Sequence, residues 1–258
     1  MPTPRLRTAR HVVWPCAALL TAARATPRQA PTVDEVISRH TAAVGGRAAL
    51  AAIHSVTFAL HITEPHSVVD AVYVADRRGR MRIDVYAGGQ RMYSEGYDGR
   101  AAWAWHQRAP QGEPETASAT AALRHGVQLP GKVFGLHELR GRGIAIDLVG
   151  RDVVAGTDYF VLRLTFPDGF TTELYLNPET FLIERQRDRR ALHPDLDARA
   201  TWLETQYSDF RAVGGTIHAF RDRQVDWRTG EVMSTTEVRS LDVNAALDTT
   251  AFAAAVIG

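Results

Sequence analysis

Histidines and carboxylates are the first candidates for chemistry in this sequence of 258 residues. The pair His137-Glu138 could open the helical zinc motif of metalloproteases, but the second histidine would stand four residues after the first, where the sequence has Gly141. No G-x-S-x-G nucleophile elbow and no phosphate-binding loop is present. We therefore predict no catalytic residue, no metal site and no cofactor, and we expect ordinary structural or surface roles for three strand histidines: His61, His106 and His218.

Arginines cluster near the end of one apolar run, at Arg185, Arg187, Arg189 and Arg190. One interpretation is a charged sheet edge that discourages sheet-to-sheet aggregation. The other is a contact with an anion or a lipid headgroup, for which arginine is well suited. We favour the charged edge.

Two tryptophans, Trp103 and Trp105, share one face of one predicted strand. They fit either an ordinary core or the wall of a ligand cavity. The cavity interpretation depends on the size of the sheet, because a sheet of about ten strands or more tends to curl and can then enclose an apolar ligand.

The elements that would position these residues are strands, and the clearest lie in residues 158–190. Three apolar runs are separated there by Pro167-Asp168-Gly169 and by Asn177-Pro178-Glu179-Thr180, both of which are typical of turns. In the middle run, Phe170, Thr172, Leu174 and Leu176 share one face, which predicts a sheet with one covered and one wet side.

Similar alternation and turn signals predict further strands at 55–62, 68–75, 80–87, 91–97, 101–107, 144–154, 201–210, 217–227 and 231–241. A helix is predicted over 32–44, where Thr32 and Glu35 form a capping box and Gly45-Gly46 ends the element. Residues 108–142 interrupt the strands as a loop and helical insertion over a face or mouth of the sheet. One domain, residues 26–258, is the economical interpretation, and its fold class is α+β, a curved antiparallel sheet covered by these helices.

The N-terminal residues 1–25 are typical of an export signal: a basic start, a short apolar stretch from Val12 to Ala23, and an A-x-A cleavage pattern that ends at Ala25. The lone cysteine, Cys16, is a poor lipoprotein acylation site because bulky residues precede it. We therefore expect a periplasmic protein without a lipid anchor. The formal net charge of +1 gives no field that would recruit nucleic acid.

Several segments resemble proteins of outer-membrane lipoprotein sorting, in the superfamily of LolA and LolB. They are the start over 32–56, then Tyr175-Leu176-Asn177-Pro178-Glu179-Thr180, the stretch 207–215, and near the end Val243-Asn244, Leu247-Asp248 and Phe252. The resemblance covers nearly the whole mature chain. Its motifs mark strand ends and turns, and the chain departs from the pattern after Gly215 and after Phe252, which indicates a divergent member.

The resemblance implies an incomplete β-barrel whose apolar cavity binds lipids or the acyl chains of lipoproteins, without catalysis. An inner- or outer-membrane protein is then a possible further partner. Alternation gives the candidate cavity walls: Phe58, Leu60, Met81, Ile83, Trp103, Trp105, Leu162, Leu164, Leu174 and Leu176. Two other functions stay open at this point, an envelope interaction protein with a solid core and a periplasmic hydrolase.

Overall fold

Thirteen antiparallel strands form a single sheet in this computed structural model, which describes residues 30–191 and 199–254. The strands are Ser55–Glu64 (β1), Ser67–Asp76 (β2), Met81–Ala87 (β3), Gln90–Tyr97 (β4), Ala102–His106 (β5), Glu113–Pro114 (β6), Ala145–Val154 (β7), Thr157–Thr165 (β8), Thr171–Leu176 (β9), Ile183–Arg190 (β10), Thr201–Val213 (β11), Thr216–Asp226 (β12) and Val232–Val243 (β13).

The sheet is two meanders joined where the first strand meets the last. Its order is β6-β5-β4-β3-β2-β1-β13-β12-β11-β10-β9-β8-β7, so that β1 pairs with β13 and Phe58 lies opposite Leu241. The outermost strands β6 and β7 do not pair with each other, and the curved sheet therefore stays open along one side. Register shifts at Ala59/Leu60 in β1 and at Leu148/Gly150 in β7 interrupt the ladders, and such irregularities bend strands.

The N-terminal helix α1, Val33–Ala43, forms as the sequence predicts. The backbone N–H of Glu35 donates to the Thr32 hydroxyl, and the Glu35 carboxylate accepts the backbone N–H of Thr32 at 2.7 Å. The helix buries Val36 and Ile37 against the sheet. Gly45 follows with a φ of +116°, which only glycine adopts without strain, and the short helix α2, Gly46–Ala51, begins there.

The insertion after β5 contains the short β6, helix α3 (Ala117–Gln128) and a 3₁₀ helix, Leu136–Arg142. This 3₁₀ helix begins at Leu136. Gly131, with a φ of +102°, stands before it in an irregular segment that a helix cannot include. A second 3₁₀ helix, Thr249–Phe252, closes the described chain.

The predicted fold class is confirmed: an α+β protein with a curved, unclosed antiparallel sheet, covered by an N-terminal helix and a helical insertion. The predicted export signal, with Cys16 and the cleavage site near Ala25, lies outside the described residues.

Candidate functional site

The concave face of the sheet collects eight of the ten residues predicted to line a cavity. They belong to the main hydrophobic core or pack against it: Phe58, Leu60, Met81, Ile83, Leu162, Leu164, Leu174 and Leu176. Cross-strand register explains the grouping, because Leu162 lies opposite Leu174 and residues that face each other across strands share a side of the sheet.

These eight residues differ in how open their surroundings are. The four leucines of β8 and β9 are between 0 and 1% exposed, so they touch no space that a water molecule could enter. Leu60 and Ile83 keep part of their surface accessible. In this conformation the β8–β9 half of the concave face is packed core, and the β1–β3 half is the more open one.

The structure corrects the placement of Trp103 and Trp105, which lie on the convex face. Ala102 belongs to the main core, so its neighbour Trp103 points the other way, over Gly96 of the next strand. The indole N–H of Trp103 donates to the carbonyl of Phe252 at 2.9 Å. The glycine at position 96 is the signal in the sequence, since a Cβ there would lie 2.6 Å from the Trp103 ring.

The open side of the sheet is filled by the connection from β6 to β7, residues 115–143, termed here the covering segment. It contains α3 and the 3₁₀ helix Leu136–Arg142, and its apolar side chains enter the main core: Val127, Leu129, Val133, Phe134, Leu136 and Leu139. Because β6 and β7 are the two outermost strands, this connection bridges both edges of the sheet. It takes up the space beside the concave face that an acyl chain would need.

Polar contacts hold the covering segment at separate points. At α3, the His125 ring lies 2.8 Å from an Asp168 carboxylate oxygen that also accepts from Arg124. The same ring stacks on Phe170 with centroids 4.3 Å apart. Burial lowers the pKa of His125, although the Asp168 carboxylate opposes that shift.

At the 3₁₀ helix, Arg77 of the β2–β3 turn binds Glu138 at 2.7 Å. Arg140 pairs with Asp34 of α1. Both of these ion pairs are partly open to solvent, and such pairs contribute little stability. The covering segment is therefore held chiefly by its apolar side chains.

A cavity of about 250 Å³ lies between α3 and the β9–β10 region. Its lining is mostly apolar with two arginines at one side: Ser118, Ala121, Ala122, His125, Leu129, Phe170, Arg189, Arg190 and Ala191. Ligand pockets commonly have roughly 300–1,000 Å³, so this space takes only part of a lipid.

Polar side chains occupy the concave face of β10 to β13, a feature that the sequence analysis did not find. Register places them in adjacent rows, and we name them the polar band: Gln186, Asp188, Thr205, Tyr207, Asp222, Gln224, Ser234 and Thr236. The Tyr207 hydroxyl donates to Gln186 at 2.9 Å, and the Gln186 amide donates to Asp188 at 2.8 Å. The row continues the apolar floor, because Gln186 lies opposite Leu174.

Lys132 of the covering segment reaches over this band. Its ammonium lies 4.4 Å from the centre of the Tyr73 ring. Burial lowers the pKa of Lys132 to about 8 and raises that of Asp222 to about 6. Both side chains nevertheless keep some accessible surface.

The arginine cluster divides between the two faces of β10. Arg185 and Arg187 lie on the convex face, where both pair with Glu204, and Arg189 lies over the Trp202 ring. Arg190 approaches Asp188 of the polar band at 3.3 Å. The predicted sheet edge is wrong, because β10 pairs with β9 and β11 on its two sides.

Part of this convex face forms a groove of about 440 Å³. Its lining is polar and aromatic, and it includes Tyr207, whose hydroxyl belongs to the polar band on the other face: Tyr159, Glu184, Arg185, Gln206, Tyr207, Ser208, Arg221, Arg223 and Thr235.

The three strand histidines lie apart from one another. His61 pairs with Asp70 at 2.8 Å, and the His106 ring lies against Tyr93. His218 is buried and contacts the Thr216 hydroxyl and the carbonyl of Gly131. Within residues 30–191 and 199–254, no group of three or more His, Cys, Asp or Glu side chains is placed to hold a metal. No helix in that same part of the chain is long and apolar enough to cross a membrane.

These features together define a class of protein: an incomplete antiparallel β-barrel whose concave apolar face is covered by a helical connection. No family model and no curated protein matches the sequence. Solved structures do match the fold. A LolA superfamily protein from Nitrosomonas europaea superposes with a TM-score of 0.57 at 14% identity, over 86% of this chain and 97% of that one.

Two further structures agree. A DUF1329 family protein from Desulfovibrio piger gives a TM-score of 0.55 at 12% identity, over 86% of this chain and 98% of the other. A domain named for outer membrane lipoprotein sorting, from Vibrio parahaemolyticus, gives a TM-score of 0.55 at 9% identity, over 85% of this chain and 95% of the other. The chain therefore has the same fold as these structures, at sequence identities of 9 to 14%.

Proposed function

We propose that this protein binds the acyl chains of a lipid or lipoprotein on its concave face, as a non-enzymatic carrier in the periplasm. The observation that carries the proposal is the placement of eight predicted wall residues on one concave surface, beneath a connection that is separate from the sheet ladder. The LolA fold supports the same function, since one solved neighbour is named for lipoprotein sorting.

Loading requires the covering segment to move. Its apolar side chains and an acyl chain would compete for the same face of the sheet, so binding exchanges one apolar contact for another. Burial of an acyl chain stabilises the complex by about 0.8 kcal/mol per methylene. Movement of the covering segment leaves the thirteen-strand ladder intact, because none of the strands in the described part of the chain lies within residues 115–143.

The cavity beside α3 is the place where an acyl chain would enter. It reaches Phe170 and Leu129, both of which pack on the main core. His125 lines this cavity and is held by the Asp168 carboxylate, which also pairs with Arg124. An Asp168→Ala variant should therefore take up a fluorescent fatty acid faster than the wild-type protein in stopped-flow mixing.

A second function has a specific observation in its favour. Leu162, Leu164, Leu174 and Leu176 are fully buried, and a solid core of this kind also suits an envelope protein that only docks a partner. In that case the covering segment stays in place and no lipid enters. Ligand content separates the two functions.

The test is to express the full chain with its own N-terminus, isolate the periplasmic protein without detergent, and measure bound lipid by mass spectrometry. The variant is Ile83→Asn, on the concave face and partly accessible; the control is Val72→Asn, on the convex face and also partly buried. Loss of one apolar contact of about 1.4 kcal/mol lowers affinity tenfold.

We expect a stoichiometric lipid in the wild-type protein and in the control, and a lower occupancy in Ile83→Asn, whose affinity for an added fatty acid should be about tenfold weaker. A lipid-free protein that also ignores an added fatty acid would refute the carrier function and leave the docking protein. Equal losses in both variants would show that general destabilisation, and not the concave face, controls occupancy.

A further inference from the structure

Two hydrogen-bond acceptors in the polar band, Oδ1 of Asp222 and Oε1 of Gln224, are buried without a partner among the described residues. A third, Oδ1 of Asp188, accepts no hydrogen bond there but has the Arg190 guanidinium nitrogen at 3.3 Å. All three side chains lie on the concave face: Asp222 and Gln224 stand two residues apart on β12, and Asp188 lies on β10. The buried hydroxyl of Tyr73, on the same face, is also unpaired.

The hydrogen bonds that Asp188 and Asp222 do make leave one oxygen of each carboxylate without a hydrogen-bond donor. The other oxygen of Asp188 accepts from Gln186 and from Thr172, at 2.8 and 3.1 Å. The Asp222 carboxylate also accepts from Thr236. A buried acceptor without a donor costs free energy, and most such groups in folded proteins are satisfied. The two acceptors on β12 and the unpaired Tyr73 hydroxyl on the same surface could therefore all pair with one bound polar group.

The charges around the polar band nearly cancel. Two cations, Lys132 and Arg190, face two carboxylates, Asp188 and Asp222. Lys132 contacts the Tyr73 ring and forms no ion pair with the described residues. A phosphate would meet both carboxylates here, whereas a hydroxyl donates to an unpaired oxygen without adding charge.

We propose that the polar band binds the headgroup of the amphiphile whose acyl chain lies on the apolar part of the concave face, and that this headgroup is uncharged and rich in hydroxyl groups, as in a glycosyl or glycerol lipid. The inference rests on the proposed function and adds the class of ligand. Lys132 of the covering segment then lies over the headgroup. Leu174 and its neighbouring leucines lie beside the polar band on the same face, and the acyl chain would lie on them.

Short single-chain amphiphiles distinguish binding of the headgroup from binding of the acyl chain. The probes are octyl glucoside, below its critical micelle concentration, octyl phosphate and octanoate. Each is titrated into the full-length protein in a calorimeter. The variant is Gln224→Met, which keeps the shape of the side chain and removes the acceptor. Its control is Gln206→Met, because Gln206 lies on the convex face and donates to Glu204. Asp222→Asn serves as a second variant should Gln224→Met not fold.

We expect the wild-type protein and the control to bind octyl glucoside at least tenfold more tightly than octyl phosphate. Gln224→Met should lose most of that preference, keep its affinity for octanoate, and unfold at a higher urea concentration than wild type, because an unsatisfied acceptor is gone. Equal affinity for the glucoside and the phosphate in the wild-type protein would overturn the inference. So would a lower urea midpoint with unchanged preference, which makes the band structural. Failure of every alkyl probe to bind would refute the proposed function itself.

Discussion

Asp222 should make the stability of this protein depend on pH in an unusual direction. Burial raises the pKa of its carboxyl from 3.8 to about 6, against the hydrogen bond from Thr236, which lowers it. The folded state holds this proton more tightly than the unfolded state does, so Asp222 stabilises the protein in acid. This stabilisation is complete below pH 3.8, the ordinary pKa of the group. It is lost as the pH rises through 6, and the pKa difference corresponds to roughly 3 kcal/mol.

The perturbation is Asp222→Asn, which keeps the shape and removes the titration. Urea unfolding followed by tryptophan fluorescence, from pH 4 to pH 8, gives the free energy of unfolding of both proteins. The free energy of unfolding of the variant, relative to that of the wild-type protein, should rise with pH, by up to about 3 kcal/mol between pH 4 and pH 8. A Thr236→Val variant removes the opposing hydrogen bond and so raises the folded-state pKa further; its stability should begin to fall at the same pH, near 3.8, and keep falling to a higher pH than in the wild-type protein. A constant difference between Asp222→Asn and wild type across this range would refute a raised pKa for this buried carboxyl.

Three other predictions concern stability. His40 is buried and its pKa is lowered to about 4, so its contribution to folding stability is complete above pH 6.5 and is lost as the pH falls through 4. His40→Gln should therefore unfold at a lower pH than the wild-type protein in the same urea and pH experiment, and an unchanged acid midpoint would contradict this. Gly45→Ala should cost more than about 2 kcal/mol, because a Cβ would lie 2.3 Å from the carbonyl of Gly215; Gly46→Ala, with open space and also a positive φ, should cost only about 1 kcal/mol in the same urea assay. Leu164→Ala removes a side chain with 0% exposure and should lower the unfolding free energy by about 2–5 kcal/mol, whereas a cost below 1 kcal/mol would show that the space collapses.

The sequence was sufficient for most of the strands, because a period of two and strong turn signals are local properties. It could not set the phase of β5. Ala102 and Ala104 alternate with Trp103 and Trp105, so both faces are apolar, and only the glycine on the neighbouring strand shows where the large rings fit. That information depends on register, which connects residues distant in sequence.

The polar band was missed for a different physical reason. Asp222 and Gln224 alternate with Arg221 and Arg223, so every position in this stretch is polar and no covered face is evident. In a curled sheet the concave side is buried across its full width, whatever its polarity. The arginines of β10 led to a wrong prediction for a similar reason. A run of charged residues suggests the edge of a sheet, but β10 pairs with a strand on each side.

The covering segment is attached to both outermost strands, and this attachment affects how affinity is measured. A segment anchored at two ends stays at high effective concentration near its own site and returns as soon as a ligand leaves. The ligand therefore competes with an intramolecular occupant that is never diluted. Under the proposed function, the observed affinity equals the intrinsic affinity of the open face multiplied by the fraction of molecules in which that face is open. Release then needs no separate energy source, because the covering segment itself refills the face.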